Sequence, residues 1–271
     1  MHAITSTLIQ ELHSFAKASG ATRAVVGLSG GLDSTVALCI AVRAFGAKNV
    51  TALIMPEMGV SPYEEAEHAK LIAEHFDCTV AYEPINNFLV DYQFVSWTRE
   101  PASFEFLKAR IRAMLLTDYA QCTGSLIIGT ANKSDLNLGL GIKDGEFIGA
   151  LHILGDLYKT DVIELARCMG LPPELTDADF TRGLWPKQTD EDDLGGAWSQ
   201  LDDILRQLED KVDPGTMIEK GMDALLVHKV VRLTQQNEAL VKTMPVIRVG
   251  RVTESIKKAQ KAEAESIGLG F

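Results

Sequence analysis

The residues best placed to do chemistry are Ser29-Gly30-Gly31-Leu32-Asp33-Ser34, which follow directly on the apolar run Ala24 to Leu28. Adjacent glycines let backbone N–H groups approach an anion closely. A helix starting near Ser34 aims its positive end at the same spot, and Ser29 and Ser34 add hydroxyl donors. Leu28 to Ser34 therefore reads as a cradle for a phosphate or pyrophosphate. Asp33 repels phosphate unless a cation such as Mg2+ sits between the two. The plainer alternative is a glycine-rich strand–helix turn with Ser34 as an ordinary N-cap. The segment is neither GxxxxGK[ST] nor GxGxxG. A second candidate group, Thr130 to Asp135, follows the apolar run Ser125 to Gly129. Lys159 opens a helical stretch and by itself reads as a solvated cation. Arg110 and Arg112, two positions apart, point to different sides of a helix, so one can serve a substrate or a subunit contact and the other the fold. The acidic run 190–193 reads as a solvated helix start.

These groups need a scaffold, and the patterning supplies one. Apolar runs at 24–28, 50–55, 78–82 and 125–129 read as strands. Between them lie helical stretches at 3–19, 34–45, 63–76, 85–93 and 103–122. Strands alternating with helices demand crossovers, and so predict an α/β fold with a doubly wound, mostly parallel sheet. Ligands in such sheets bind at the carboxyl ends of the strands, where both candidate groups fall. Residues 139–155 and 174–197 read as long loops, of the kind that usually carry function. Helices are expected at 158–169, 198–208 and about 215–243. The division expected is 1–210 for the main domain and 211–271 for a helical C-terminal extension.

A net charge of −11 argues against nucleic-acid backbones as partners. Four scattered cysteines without a CxxC pair argue against a disulfide scaffold or structural zinc and fit a reducing cytoplasm. No apolar stretch reaches the length of a membrane span, and the N-terminus lacks a secretory signal pattern.

The SGGxDS loop resembles that of the ATP pyrophosphatases, which cleave ATP between the α and β phosphates. Four further segments resemble the NAD synthetase branch: Lys108-Ala109-Arg110-Ile111-Arg112, Gly129 to Asp135 (GTANKSD), Gly155 to Val162 (GDLYKTDV) and Gly183 to Glu191 (GLWPKQTDE). Order and spacing agree over about residues 5–210. The resemblance implies an adenine-nucleotide α-hydrolase-like fold. It also implies ATP-dependent amidation of nicotinic acid adenine dinucleotide by ammonia, through an acyl-adenylate, with AMP and pyrophosphate released. Asp33 and Lys159 would be catalytic. Asp33 and Asp135 would hold Mg2+, the family having Glu at the second position. Leu28, Ser29, Gly30, Gly31, Leu32, Ser34, Thr130, Lys159 and Thr181 would bind ATP. Arg110, Lys143 and Glu146 would face the acceptor. A homodimer is implied, and ammonia from solution or a separate supplying partner, since the 271 residues leave no room for a glutaminase domain.

The acceptor segment departs from the family pattern GYxTKYGDxxxD. Ile142 replaces Thr, Asp144 replaces Tyr, and Glu146 and Ala150 stand where the pattern has Asp. Phe106 replaces the Asn that usually precedes KARxR. The ATP side is retained and the acceptor side rewritten, and loss of polar partners weighs heavily on specificity. Two alternatives follow: a relative that adenylates a different carboxylate or another acceptor, and a nucleotide-binding subunit without activity. Retention of Asp33 and Lys159 argues against the second.

Overall fold

The alternation of apolar strands with amphipathic helices closes as expected. The computed structural model describes residues 1–59, 63–98, 101–141, 148–176 and 189–250. The chain runs α1 (His2–Ser19), β1 (Ala24–Gly27), α2 (Leu32–Phe45), β2 (Val50–Ile54), α3 (Tyr63–His75), β3 (Thr79–Tyr82), α4 (Asn86–Asp91), α5 (Pro101–Thr123) and β4 (Leu126–Gly129). It continues through α6 (Lys133–Leu138), β5 (Leu151–His152), α7 (Lys159–Cys168), α8 (Pro173–Thr176), α9 (Asp190–Leu194), α10 (Trp198–Glu209), α11 (Pro214–Glu219) and α12 (Ala224–Val241). Among the described residues, five parallel strands form one sheet in the order β3-β2-β1-β4-β5.

β1 lies at the centre, and its sequence shows why. Side chains alternate between the faces of a strand. Ala24 and Val26 enter the large apolar cluster with Leu8 of α1, Ile40 of α2 and Leu165 of α7. Val25 meets Leu53 of β2 and Leu116 and Ala120 of α5 on the other face. A strand covered on both faces has no place for a polar residue. The chain reverses direction across the sheet between β1 and β4. The loops after these two strands therefore face each other at the switch point, where doubly wound sheets bind ligands.

Three stretches differ from the sequence expectation. The stretch read as a loop over 139–155 contains the short strand β5, paired to β4 through Ile128↔Leu151 and Gly129↔His152. Two residues give too little alternation to register as a strand. The second expected loop carries α8 and α9 at its ends. The helix expected over 215–243 is two helices, α11 and α12, broken by Gly221 at φ +96°. Both pack with α10 and Leu138 of α6 on a second apolar cluster that includes Trp198, Leu201 and Val230. After α12 the chain returns beside β5, where His152 N–H donates to the Pro245 carbonyl at 2.7 Å. Asp156 accepts the N–H groups of Val249 and Gly250 there at 2.9 and 3.1 Å. Among the described residues, no helix is long and apolar enough to cross a membrane.

His152 is 1% exposed, and burial depresses its pKa to about 4. Its ring lies against Gly129, where a Cβ atom would stand 2.3 Å from Nδ1, so only glycine fits. Because the folded-state pKa is depressed, the unfolded chain takes up a proton first as pH falls from about 6.5 towards 4. Stability is therefore full above that window and lost within it, by about 2 kcal/mol at pH 5. Urea unfolding at pH 7 and pH 5 should show that increment in the parent and not in His152→Gln. Equal losses in both proteins would contradict the assignment.

Candidate active site

The first half of the site is the turn from β1 into α2. Gly30 has φ +89°, a left-handed conformation that favours glycine. Gly31 is the N-cap, so α2 starts at Leu32, two residues before the expected start. The loop is closed by its own serines. Ser34 Oγ donates to the Gly31 carbonyl at 3.0 Å and lies 3.0 Å from Ser29 Oγ. Gly31 N–H donates to Ser29 Oγ at 3.2 Å. Ser34 is buried and serves the loop's shape, whereas Ser29 is exposed at its rim. Leu28 and Leu32 are buried anchors on either side.

The second half is the turn from β4 into α6. Asn132 caps α6 by accepting the N–H of Asp135 at 2.9 Å through Oδ1. Its Nδ2 donates to Asp33 Oδ1 at 3.0 Å. The other oxygen of Asp33 accepts from Lys159 Nζ at 2.5 Å. Lys159, read from sequence in isolation as a solvated cation, is 4% exposed. Three loops remote in sequence thus meet at Asp33.

Charge makes this cluster unusual. Burial opposes the positive charge on Lys159, but Asp33, Asp135 and Asp190 outweigh it and hold its pKa above the ordinary lysine value. Asp135 is raised as well, which in an acid favours the neutral form. Burial, Asp33 and Asp190 push its pKa well above the carboxylate range, and Lys159 only partly offsets them. Three carboxyl groups thus crowd one ammonium. That donor set suits a divalent cation, which Asp33 and Asp135 would be the residues to hold. Among the described residues, no group of three or more metal-ligating side chains occurs.

Arg112 and Arg110 diverge as their spacing requires. Arg112 Nε donates to the Met55 carbonyl at 2.9 Å, just past the end of β2. Arg110 lines a shallow concavity of about 500 Å³ with Met114, Thr117, Asp118 and Ile148. Lys108 forms a buried ion pair with Glu57 at 2.7 Å. Thr130 directly follows β4 at the switch point. Lys143, Glu146 and Thr181 lie outside the described residues, as does most of the GLWPKQTDE segment.

Sequence reasoning missed three groups. Asp190 was expected on a solvated helix start but is 6% exposed and acts electrostatically on Asp135 and Lys159. Asn132 has no sequence signal of its own beyond its place between Thr130 and Asp135. Asp202 is fully buried behind the site. Its signal was legible: it falls four residues after Trp198, on the same apolar stripe as Leu201 and Leu205.

Comparison with known proteins accords with this geometry. The NAD synthase family profile matches residues 4–243. The chain is 35% identical over 227 residues to the NH3-dependent NAD+ synthetase of Chlorobaculum tepidum, covering 82% of this chain and 80% of that one. It is 35% identical over 234 residues to the corresponding enzyme of Methanosarcina mazei, covering 84% and 91%. Two solved structures superpose on it. The NH3-dependent NAD synthetase of Campylobacter jejuni has a TM-score of 0.73, 28% identity, and coverage of 90% of this chain and 97% of that one. The NMN synthetase of Francisella tularensis has a TM-score of 0.75, 25% identity, and coverage of 91% and 98%. With a profile match over most of its length and the loop, lysine and carboxylates gathered at one point, the chain belongs to the NAD synthase family.

Proposed function

We propose that this protein makes NAD by amidating nicotinic acid adenine dinucleotide with ammonia at the expense of ATP. The observation that carries the reading is the convergence of Asp33, Asn132, Asp135 and Lys159 on the glycine loop at the sheet's switch point. The acceptor carboxylate attacks the α-phosphorus of ATP. The bond to the β-phosphate bridging oxygen breaks, pyrophosphate leaves and an acyl-adenylate remains. Ammonia then attacks the acyl carbon, AMP leaves with the former carboxylate oxygen, and the nitrogen loses one proton to solvent.

Each residue has a part in this sequence. Leu28 to Leu32 and Ser34 shape the pyrophosphate cradle, with Ser29 presented at its rim. Thr130 and Thr181 serve the nucleotide. Lys159 offsets the charge that develops on the phosphates, in a site where burial strengthens the effect. Asp33 and Asp135 would hold Mg2+, which would supply positive charge to offset that of the pyrophosphate. Asn132 fixes Asp33, and Asp190 adds to the field that keeps Lys159 charged. Arg110, Lys143 and Glu146 serve the acceptor. A homodimer joined through the α5 side fits the exposed Met114 at that concavity. Sedimentation of the parent as a monomer at assay concentration would remove this part.

The deciding assay supplies ATP, Mg2+, ammonium and the dinucleotide. NAD, AMP and pyrophosphate should appear in equal amounts. ATP binding without any amide product would defeat the reading.

A second reading keeps the chemistry and changes the acceptor to nicotinic acid mononucleotide. The rewritten positions Ile142, Asp144 and Ala150 favour it, as does the likeness to a solved NMN synthetase. A hydrogen bond to a charged group contributes about 1.5–3 kcal/mol, or about one to two decades in affinity. On the first reading, Ile142→Thr with Ala150→Asp should raise kcat/KM for the dinucleotide by that order. If the parent already prefers the mononucleotide, the second reading replaces the first.

A further inference from the structure

We propose that Asp202, on α10, is the positioning residue that sets Lys159 for reaction. The inference rests on the ATP-dependent reading above and deepens it. Asp202 is fully buried. Its Oδ1 accepts the Ser134 hydroxyl at 2.5 Å, and its Oδ2 accepts the backbone N–H of Thr160 at 2.8 Å. Ser134 Oγ in turn accepts the backbone N–H of Lys159 at 2.9 Å. The first N–H groups of a helix have no partner within it. Here two of those of α7 are taken up by one carboxylate and the hydroxyl it holds.

The same contacts fix α6. Ser134 stands between Lys133 and Asp135 in the first turn of that helix. α6 delivers Asp135 and is capped by Asn132, and α7 delivers Lys159. One carboxylate therefore ties together the two helix starts that meet at Asp33. Arg206, one turn further along α10, adds a second tie through 3.2 Å contacts to Thr160 Oγ1 and a 2.7 Å bond to Asp161.

Stability alone does not explain a carboxylate at this place. Burying a charge is costly, and apolar residues of similar volume often join helices as well or better. An apolar contact cannot hold two N–H groups and a hydroxyl at fixed distances. An amide replaces Asp202 only in part. It offers one oxygen, whereas both Thr160 N–H and the Ser134 hydroxyl require an acceptor. The chain Asp202–Ser134–Lys159 supplies positional definition, and displacement of a reacting group by about 1 Å can cost about 100-fold in rate.

The test compares Asp202→Asn, Ser134→Ala and the double variant with the parent, using turnover per folded molecule, with the folded fraction from circular dichroism. Lys159 acts on ATP, so kcat/KM for ATP should fall about 10- to 100-fold while KM for the acceptor stays within about twofold. The double variant should be no worse than the poorer single one, since both changes cut the same chain. A purely structural role gives lower thermal midpoints with turnover per folded molecule within about twofold of the parent, which overturns the proposal. So do multiplicative losses in the double variant. If Asp202→Asn fails to fold, Ser134→Ala, which removes one hydroxyl, is judged by the same thresholds. Amide formation by the parent separately decides the functional reading. If the parent forms none, the variants are compared by calorimetric affinity for ATP, where the same loss is expected and parent-like affinity overturns the role of Asp202.

Discussion

Lys159→Met is expected to lower pyrophosphate release by about 100- to 1000-fold, the usual effect of losing one preorganised donor to developing charge. The length and apolar stem of the side chain are kept and only the ammonium is removed. Two consequences follow. The phosphates lose a largely buried cation, and Asp33, Asp135 and Asp190 lose the ammonium that offsets them. The second effect also weakens the fold. The loss should be smaller than the about 3–5 kcal/mol of a fully buried pair, because the Asp33 side chain is 21% exposed and water can reach it. Turnover should thus collapse while the protein stays folded at assay temperature. Kinetics and circular dichroism on the same sample check this, and a folded variant within tenfold of the parent would sink the role of Lys159.

Asp33→Asn should be at least as damaging, by a different route. Asp33 has two donors facing it, Asn132 Nδ2 and Lys159 Nζ. An amide has one oxygen, so its NH2 group must point at one of these donors. Asn132 cannot rotate to compensate, because its own oxygen caps α6 through the Asp135 N–H. The substitution therefore disturbs Lys159 and removes a carboxylate from the cation site together. Turnover should fall by about 1000-fold, and the Mg2+ concentration giving half-maximal rate should rise about 10- to 100-fold. Near-parental turnover with unchanged Mg2+ dependence would contradict both roles of Asp33.

What the sequence determined is local. Ser29 to Ser34 lie within six consecutive positions after an apolar run, so both the loop and its affinity for anions can be read from neighbours along the chain. The same holds for the apolar strands, whose both-face burial leaves no polar residue in Ala24-Val25-Val26. The family segments around Thr130 and Lys159 could be recognised because their spacing is contiguous. Tertiary structure decided everything that depends on one segment meeting another. Lys159 is a surface cation by local criteria and a buried partner of Asp33 in the fold, across 126 positions of chain. Asp190 belongs to an acidic run that looks solvated until its helix start is turned into the cluster. Asp202 stands in an amphipathic helix, and its burial has a purpose only because Ser134 and Thr160 are brought against it. A carboxylate's cost in the interior is set by the donors around it, and those come from distant segments. Sequence periodicity can place Asp202 on the buried stripe, but only the folded chain supplies the donors that make a charge tolerable there.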